Sequence, residues 1–169
     1  MKLENPPANF SIRSAKKSDC RSILEFVREL ADYERLSHEV SATVEDFERE
    51  LFGERPAAEV LLAEEGSEAV GFALFFTNFS TFLGRPGIYL EDLFVRPRYR
   101  NRGYGKALLS HLGKLAIERN CGRVEWAVLD WNQPAIDFYQ SLGACLMKDW
   151  IINRVAGREA IEKLAKSSP

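Results

Sequence analysis

Ile88-Tyr-Leu-Glu-Asp-Leu-Phe-Val95 runs directly into Arg96-Pro-Arg-Tyr-Arg-Asn-Arg-Gly-Tyr-Gly-Lys106. The first stretch is rich in β-forming residues and stops before a proline, so it reads as a strand. The second holds five basic residues (Arg96, Arg98, Arg100, Arg102, Lys106) and no acidic one. Beyond it, from Gly105 to Asn120, Leu108, Leu112, Leu115 and Ala116 recur at helical spacing. A strand, a basic glycine turn and a helix therefore follow one another. Gly103 and Gly105 let the backbone turn tightly and approach a ligand closely. The first N–H groups of the helix have no acceptor within it, and its dipole adds positive character there. These are the ingredients of an anion site, above all for phosphate. A Walker loop is excluded, because Gly-x-x-x-x-Gly-Lys-Ser/Thr is absent. A dinucleotide fingerprint lacks its third glycine, since position 108 is Leu. The bland alternative is a tight loop with a solvated basic face.

Upstream, Phe10 to Arg13 alternates like a half-buried first strand. Ile23, Phe26, Val27, Leu30 and Ala31 predict an amphipathic helix over 19–35. A shorter helix follows, with Thr43 as N-cap and Gly53 as stop. Residues 59–64 and 69–78 read as strands, and 84–87 as a loop before the strand at 88–95. Three successive strands joined by short turns imply antiparallel pairing, not the βαβα rhythm of a doubly wound fold. Downstream, 123–129 is a strand that the crossover helix would set parallel to 88–95. A short helix runs from Asn132 to Leu142 with Pro134 in its first turn. Residues 145–147 and 150–155 read as closing strands, and 158–166 as a last helix. The expected class is α+β: a flexible lead at 1–9, then one domain over 10–169, with a mixed sheet of about six to seven strands and helices on both faces.

Composition narrows the function. The chain has 169 residues, 46% of them apolar, enough for a core without staples. Its 23 basic and 25 acidic residues give a net charge of −2, unlike a general nucleic-acid binder. No apolar run approaches the ~20 residues of a membrane span, and no secretion signal is evident. Cys20, Cys121 and Cys145 are odd in number and widely spaced, with no metal-ligand pattern. The expectation is a cytoplasmic protein with reduced thiols, no metal, no membrane and no nucleic acid. With only His38 and His111, a triad hydrolase has little support.

Arg100-x-x-Gly103-x-Gly105 resembles the acetyl-CoA motif of the GNAT N-acetyltransferases. Glu29-Leu-Ala-Asp-Tyr-Glu34, Tyr89-Leu-Glu-Asp-Leu-Phe-Val95 and Trp131-Asn-Gln-Pro-Ala-Ile-Asp-Phe-Tyr139 resemble its diamine (spermidine/spermine) and thialysine branch. The resemblance spans about residues 10 to 155. It implies a splayed central sheet and acetyl-CoA as co-substrate. The pyrophosphate would lie on backbone N–H groups of Asn101, Arg102, Gly103, Tyr104, Gly105 and Lys106, with Arg100 nearby. The pantetheine arm would pair with Leu93, Phe94 and Val95 in a gap beside 123–129, and Asn132 would touch it. A backbone N–H near Val95 would hold the oxyanion.

The implied reaction is direct acyl transfer to an amine in a ternary complex. An alkyl amine of pKa ~10.4 arrives as ammonium and must lose a proton. The resemblance gives that proton to Glu91, as base or water relay. Glu91 as a substrate-binding or structural carboxylate stays open, and strand alternation turns Asp92 to the other face. Tyr139 would supply the proton to the CoA thiolate, the alternative being a packed aromatic. Tyr33 and Glu34, with Glu91, would contact the acceptor.

Lys148 and Ser80 stand near positions where the branch carries acidic residues. That favours a small amine such as thialysine or lysine over a long polyamine, with Lys148 as a conceivable counter-charge. The branch also implies a homodimer. Two other functions remain: a protein lysine or N-terminal acetyltransferase, and a non-catalytic acyl-CoA or nucleic-acid binding module.

Overall fold

Strand β1 (Phe10–Ser14) pairs antiparallel with β2 (Glu59–Glu65), β2 with β3 (Glu68–Ser80), and β3 with β4 (Arg85–Val95). The last strand, β5 (Val124–Trp126), lies parallel to β4 at the sheet's end, giving the order β1-β2-β3-β4-β5. This computed structural model describes residues 7–167. It falls into two compact units, Met1–Ala127 and Val128–Pro169. Of the expected lead, residues 1–6 lie outside the described residues. Pro7 to Phe10 closes a turn (Phe10 N–H to Pro7 O, 3.0 Å), and Asn9 O accepts from Gly66 N–H at 2.9 Å.

The helices form where the apolar spacing puts them. Helix α1 (Cys20–Tyr33) buries Ile23, Leu24, Phe26 and Ala31. Helix α2 (Val44–Phe52) opens on Thr43, whose Oγ1 accepts from Asp46 N–H at 3.2 Å while its own N–H donates to Asp46 Oδ2 at 3.0 Å. Helix α3 (Tyr104–Glu118) makes the crossover from β4 to β5. One face of the sheet (Leu61, Ala73, Phe75, Ile88, Leu90) packs on Tyr104, Leu108 and Leu112 of α3. The other (Leu62, Phe72, Leu74, Phe94) packs on Ile23 and Phe26 of α1 and Leu51 of α2. Each such fully buried side chain contributes roughly 1.5–3 kcal/mol. The mixed sheet with helices on both faces is thus present as expected.

Its strand count is not. Among the described residues the sheet has five strands rather than six to seven. The expected closing strands at 145–147 and 150–155 have no strand pairing, and β5 spans three residues rather than 123–129. Met147, Trp150, Ile151 and Ile152 are 65–84% exposed. An apolar run takes up strand structure only against an edge that completes its hydrogen bonds, and among the described residues no strand pairs with either segment. The loop before β4 is also shorter than expected, because β4 begins at Arg85 and Gly84 (φ +60°) makes the turn. The second unit carries α4 (Gln133–Ser141), capped by Asn132 Oδ1 on Ala135 N–H at 3.4 Å, and α5 (Arg158–Ala165).

Candidate active site

Two irregularities in β4 make the site. Leu74 faces Asp92 across β3–β4, but the next residue, Phe75, faces Leu90. Glu91 is therefore an extra residue, a β-bulge, opposed by nothing on β3. Pairing with β5 stops at Leu90 and Trp126. From Glu91 to Val95, β4 thus has a strand neighbour on one side only. The two strands splay there, and the outer backbone edge of Leu93, Phe94 and Val95 opens beside the glycine turn.

That turn is built by left-handed backbone. Gly103 (φ +82°) is the N-cap of α3 and Asn101 (φ +63°) precedes it. Asparagine tolerates this conformation better than other side chains, and glycine adopts it freely. No side chain caps α3, so the N–H groups of its first turn face outward without a protein cap.

The five basic residues do not form one free patch. Arg96 reaches back to Glu29 of α1 with Nη2 at 2.8 Å and Nε at 3.0 Å. Arg98 pairs with Glu68, and Arg102 with Glu65 at 3.0 Å. Arg100 stacks on Tyr33 (4.7 Å from guanidinium carbon to ring centroid) and donates from Nε to Val95 O at 3.0 Å. It joins the end of α1 to the end of β4. Lys106 is exposed. Tyr104 is 1% exposed in the core, with its hydroxyl on Glu65, so only its backbone is available to a ligand. Burial and that carboxylate push its phenol up to about 12.

Acidic groups gather on the α1 side. Glu34 follows α1, and burial raises its carboxyl. Glu91 is exposed at the bulge. Asp92 is pushed up to about 6, first by burial, then by the charges of Glu91 and Glu34. Strict alternation would have put positions 88, 90, 92 and 94 on one face. The bulge breaks it: Ile88 and Leu90 face α3, whereas Phe94 faces α1, and Asp92 falls on Phe94's side. Asp92 is the site group the sequence reading set aside. Its signal was a carboxylate two residues from buried apolar neighbours on each side.

The first unit therefore brings together Tyr33, Glu34, Glu91, Leu93, Phe94, Val95 and residues 100–106. In the second unit, Asn132 (7% exposed) caps α4 and the half-buried Tyr139 stands on the same helix, its ring 5.4 Å from Phe138. A cavity of about 190 Å³, lined by Leu51, Phe52, His111 and Arg119 among others, contains none of the expected site residues. Among the described residues, no group of His, Cys, Asp and Glu is arranged to hold a metal. None of their helices is long and apolar enough to cross a membrane.

Known proteins resemble this chain in sequence and fold. The sequence pattern of the acetyltransferase (GNAT) family matches residues 23–144. The thialysine N-epsilon-acetyltransferase of Sus scrofa is 40% identical over 169 residues, 94% of this chain and 98% of that protein. The L-ornithine N5-acetyltransferase NATA1 of Arabidopsis thaliana is 42% identical over 130 residues, 76% of this chain and 54% of that protein. Among solved structures, an integron cassette protein from the mobile metagenome of V. cholerae superposes with a TM-score of 0.79. It is 30% identical and covers 95% of this chain and all (100%) of its own.

Proposed function

The chain belongs to the acetyltransferase (GNAT) family and is an N-acetyltransferase; from that premise we propose that it moves the acetyl group of acetyl-CoA to the side-chain amine of a small amino-acid-like acceptor. One observation carries the proposal: an uncapped helix start and an open strand edge lie side by side at the splay of β4 and β5. The pyrophosphate would rest on the backbone of Asn101 to Lys106 with Arg100 alongside. The pantetheine amides would pair with the free edge of Leu93, Phe94 and Val95, as an added strand does. Asn132 would contact the same arm. No metal is needed for this chemistry.

Glu91 takes the proton of the arriving ammonium, directly or through water, and the amine attacks the thioester carbonyl. A backbone N–H near Val95 meets the developing oxyanion. Tyr139 donates to the departing thiolate, which a phenol of pKa near ~10 can do at neutral pH. Tyr33 and Glu34 hold the acceptor. A second assignment of the base is favoured by the elevated carboxyl of Asp92, which matches a proton acceptor working near neutrality better than an ordinary carboxylate.

The ion pairs of Arg96, Arg98 and Arg102 weigh against a nucleic-acid role, since three of the five cations are already neutralised. We further propose a homodimer that covers the exposed segment around Trp150-Ile-Ile152, in a reducing, cytoplasmic setting that keeps Cys20, Cys121 and Cys145 as thiols. Sedimentation of wild type against Ile151→Asp reads the dimer.

The activity is tested with a panel of amines and acetyl-CoA while free thiol is followed. Turnover of thialysine, lysine or ornithine is expected. Turnover of polyamines alone would overturn the acceptor, and turnover of lysine-containing peptides alone would move the protein to the protein acetyltransferases.

A further inference from the structure

One polar group on the sheet has no part in the chemistry above. Asn78 of β3 and Glu125 of β5 meet across β4, with Asn78 Nδ2 donating to Glu125 Oε2 at 2.9 Å. Arg123 Nε lies 2.8 Å from the same oxygen but is misaligned for a hydrogen bond. Among the described residues, Asn78 Oδ1 and Arg123 Nε are the buried side-chain N and O atoms with no hydrogen-bond partner. Turning the Asn78 amide over would set its oxygen against the Glu125 carboxylate, so the orphaned acceptor is fixed in place. A buried acceptor without a donor is costly, so the packing around Asn78 must hold the amide in this orientation against that cost.

Gly87 explains how the Asn78 and Arg123 side chains fit over the strand between them. A Cβ there would lie 2.4 Å from Asn78 Oδ1 and 3.0 Å from Arg123 Cγ. Any other residue at 87 would push the group apart.

The group shares a face with the acidic end of the site. Val124 and Trp126 pack toward α3, so Glu125 points to the α1 side. Phe72 and Leu74 face α1, and Phe76 and Asn78 continue their alternation. Between the two ends, Phe76 stacks on Tyr89 at 5.1 Å. Reading along β4, the face runs from the carboxylates of Glu91 and Asp92, over an aromatic pair, to Asn78, Glu125 and Arg123. Glu125 is level with Tyr89, three positions from Asp92. At ~3.3 Å per residue and one strand spacing of ~4.8 Å, the Cα atom of Glu125 is about 8 Å from that of Glu91 and about 11 Å from that of Asp92. A lysine-like chain of about 6–7 Å, with a hydrogen bond of about 2.8 Å at either end, fills the span to Asp92.

We propose that Arg123, Glu125 and Asn78 form the subsite for the far end of the acceptor, and that this end is a zwitterionic amino-acid head. The Arg123–Glu125 pair engages the Nε edge of the guanidinium. Its Nη edge takes the α-carboxylate as a planar fork. The accessible carboxylate of Glu125 accepts from the α-ammonium, and Asn78 Nδ2 holds that carboxylate in place. The methylene or thioether chain lies over Phe76 and Tyr89. A diamine of the same length satisfies the carboxylate but leaves the guanidinium edge unmatched. Arg123, rather than Lys148, is then the counter-charge that selects amino acids.

This subsite rests on the acetyl-transfer reading, and three amines separate the two. Lysine carries both head groups, cadaverine lacks the carboxylate, and 6-aminohexanoate lacks the α-amine. kcat/KM is measured for each with wild type, Arg123→Gln and Glu125→Gln. Arg123→Gln is expected to lower lysine and 6-aminohexanoate at least tenfold relative to cadaverine. Glu125→Gln is expected to lower lysine and cadaverine at least tenfold relative to 6-aminohexanoate. The crossed ratios are taken within one preparation, so a partly folded variant does not alter them. A variant that shifts all three amines by one factor, or none of them, overturns the subsite and leaves acetyl transfer standing. A wild type that releases no thiol with any of the three, yet does so with other amines, overturns the amino-acid head. No thiol release with any amine overturns the acetyl-transfer reading and the subsite with it.

Discussion

Replacing Asp92 by Asn should make the protein more stable at and above neutral pH. The Asp92 carboxyl titrates near 6 instead of its ordinary 3.8, because burial and the charges of Glu91 and Glu34 disfavour its ionised form. The folded state therefore holds the proton more tightly than the unfolded chain. Below pH 3.8 both states are protonated and the site costs nothing. Between 3.8 and about 6 the unfolded chain ionises first, so stability falls as pH rises. Above that window the cost is complete. From 3.8 to about 6, at ~1.4 kcal/mol per pH unit, it amounts to roughly 3 kcal/mol.

Asparagine has the same shape and no charge to desolvate. In a domain of this size, roughly 3 kcal/mol corresponds to a Tm difference on the order of 6–12 °C. Thermal melting of wild type and Asp92→Asn is compared from pH 4 to pH 8. The variant should melt higher at pH 8, and the two curves should converge at pH 4. Equal melting at every pH, or a variant that is less stable at pH 8, would refute the reasoning. The same pair of proteins assigns the base. If Asp92 takes the proton, the acidic limb of the kcat/KM profile disappears in Asp92→Asn and persists in Glu91→Gln; if Glu91 does, the pattern is reversed.

Tyr139→Phe should lower kcat by about 100-fold or more with a much smaller change in the KM for acetyl-CoA, and unchanged turnover across pH 6–9 would remove Tyr139 from the role of acid. Gly103→Ala forces a Cβ into a backbone at φ +82°. It should cost about 1 kcal/mol and raise the acetyl-CoA KM, as isothermal titration with CoA and thermal melting would read. Thr43→Ala removes the side-chain arm of the α2 capping box and leaves the backbone N–H of residue 43 on Asp46 Oδ2. It should cost ~1 kcal/mol, a drop of about 2–4 °C in Tm, with the KM for acetyl-CoA within twofold of wild type.

What the sequence made legible is what its own neighbours decide. The turn at 100–106 needs only two glycines, an asparagine and an amphipathic run after them, all adjacent in the chain. The caps of α2 and α4 are equally local, since Thr43 and Asp46, or Asn132 and Ala135, lie within one turn. The bulge at Glu91 is of another kind. Nothing in residues 88–95 marks an extra position; it arises because β3 pairs Leu74 with Asp92 and Phe75 with Leu90. That slip decides which carboxylate lies beside Phe94, and so which one is desolvated.

The basic cluster shows the same limit. Its charge is countable, yet whether it is free depends on Glu29, Glu65 and Glu68, each about thirty residues or more away. The apolar run at 150–155 was legible as strand-forming and still forms no strand, because a strand is completed by an edge elsewhere. Long-range pairing therefore decides which carboxylate is buried and which polar groups meet across β4. Asn78 and Glu125 are 47 residues apart in sequence and meet only because β4 passes between them over a glycine. In the proposed reading the donor's phosphates rest on one continuous segment, whereas the acceptor's groups come from the end of α1 and from three strands. Substitutions that leave the segment at 96–106 intact can thus change the amine while keeping the acyl donor.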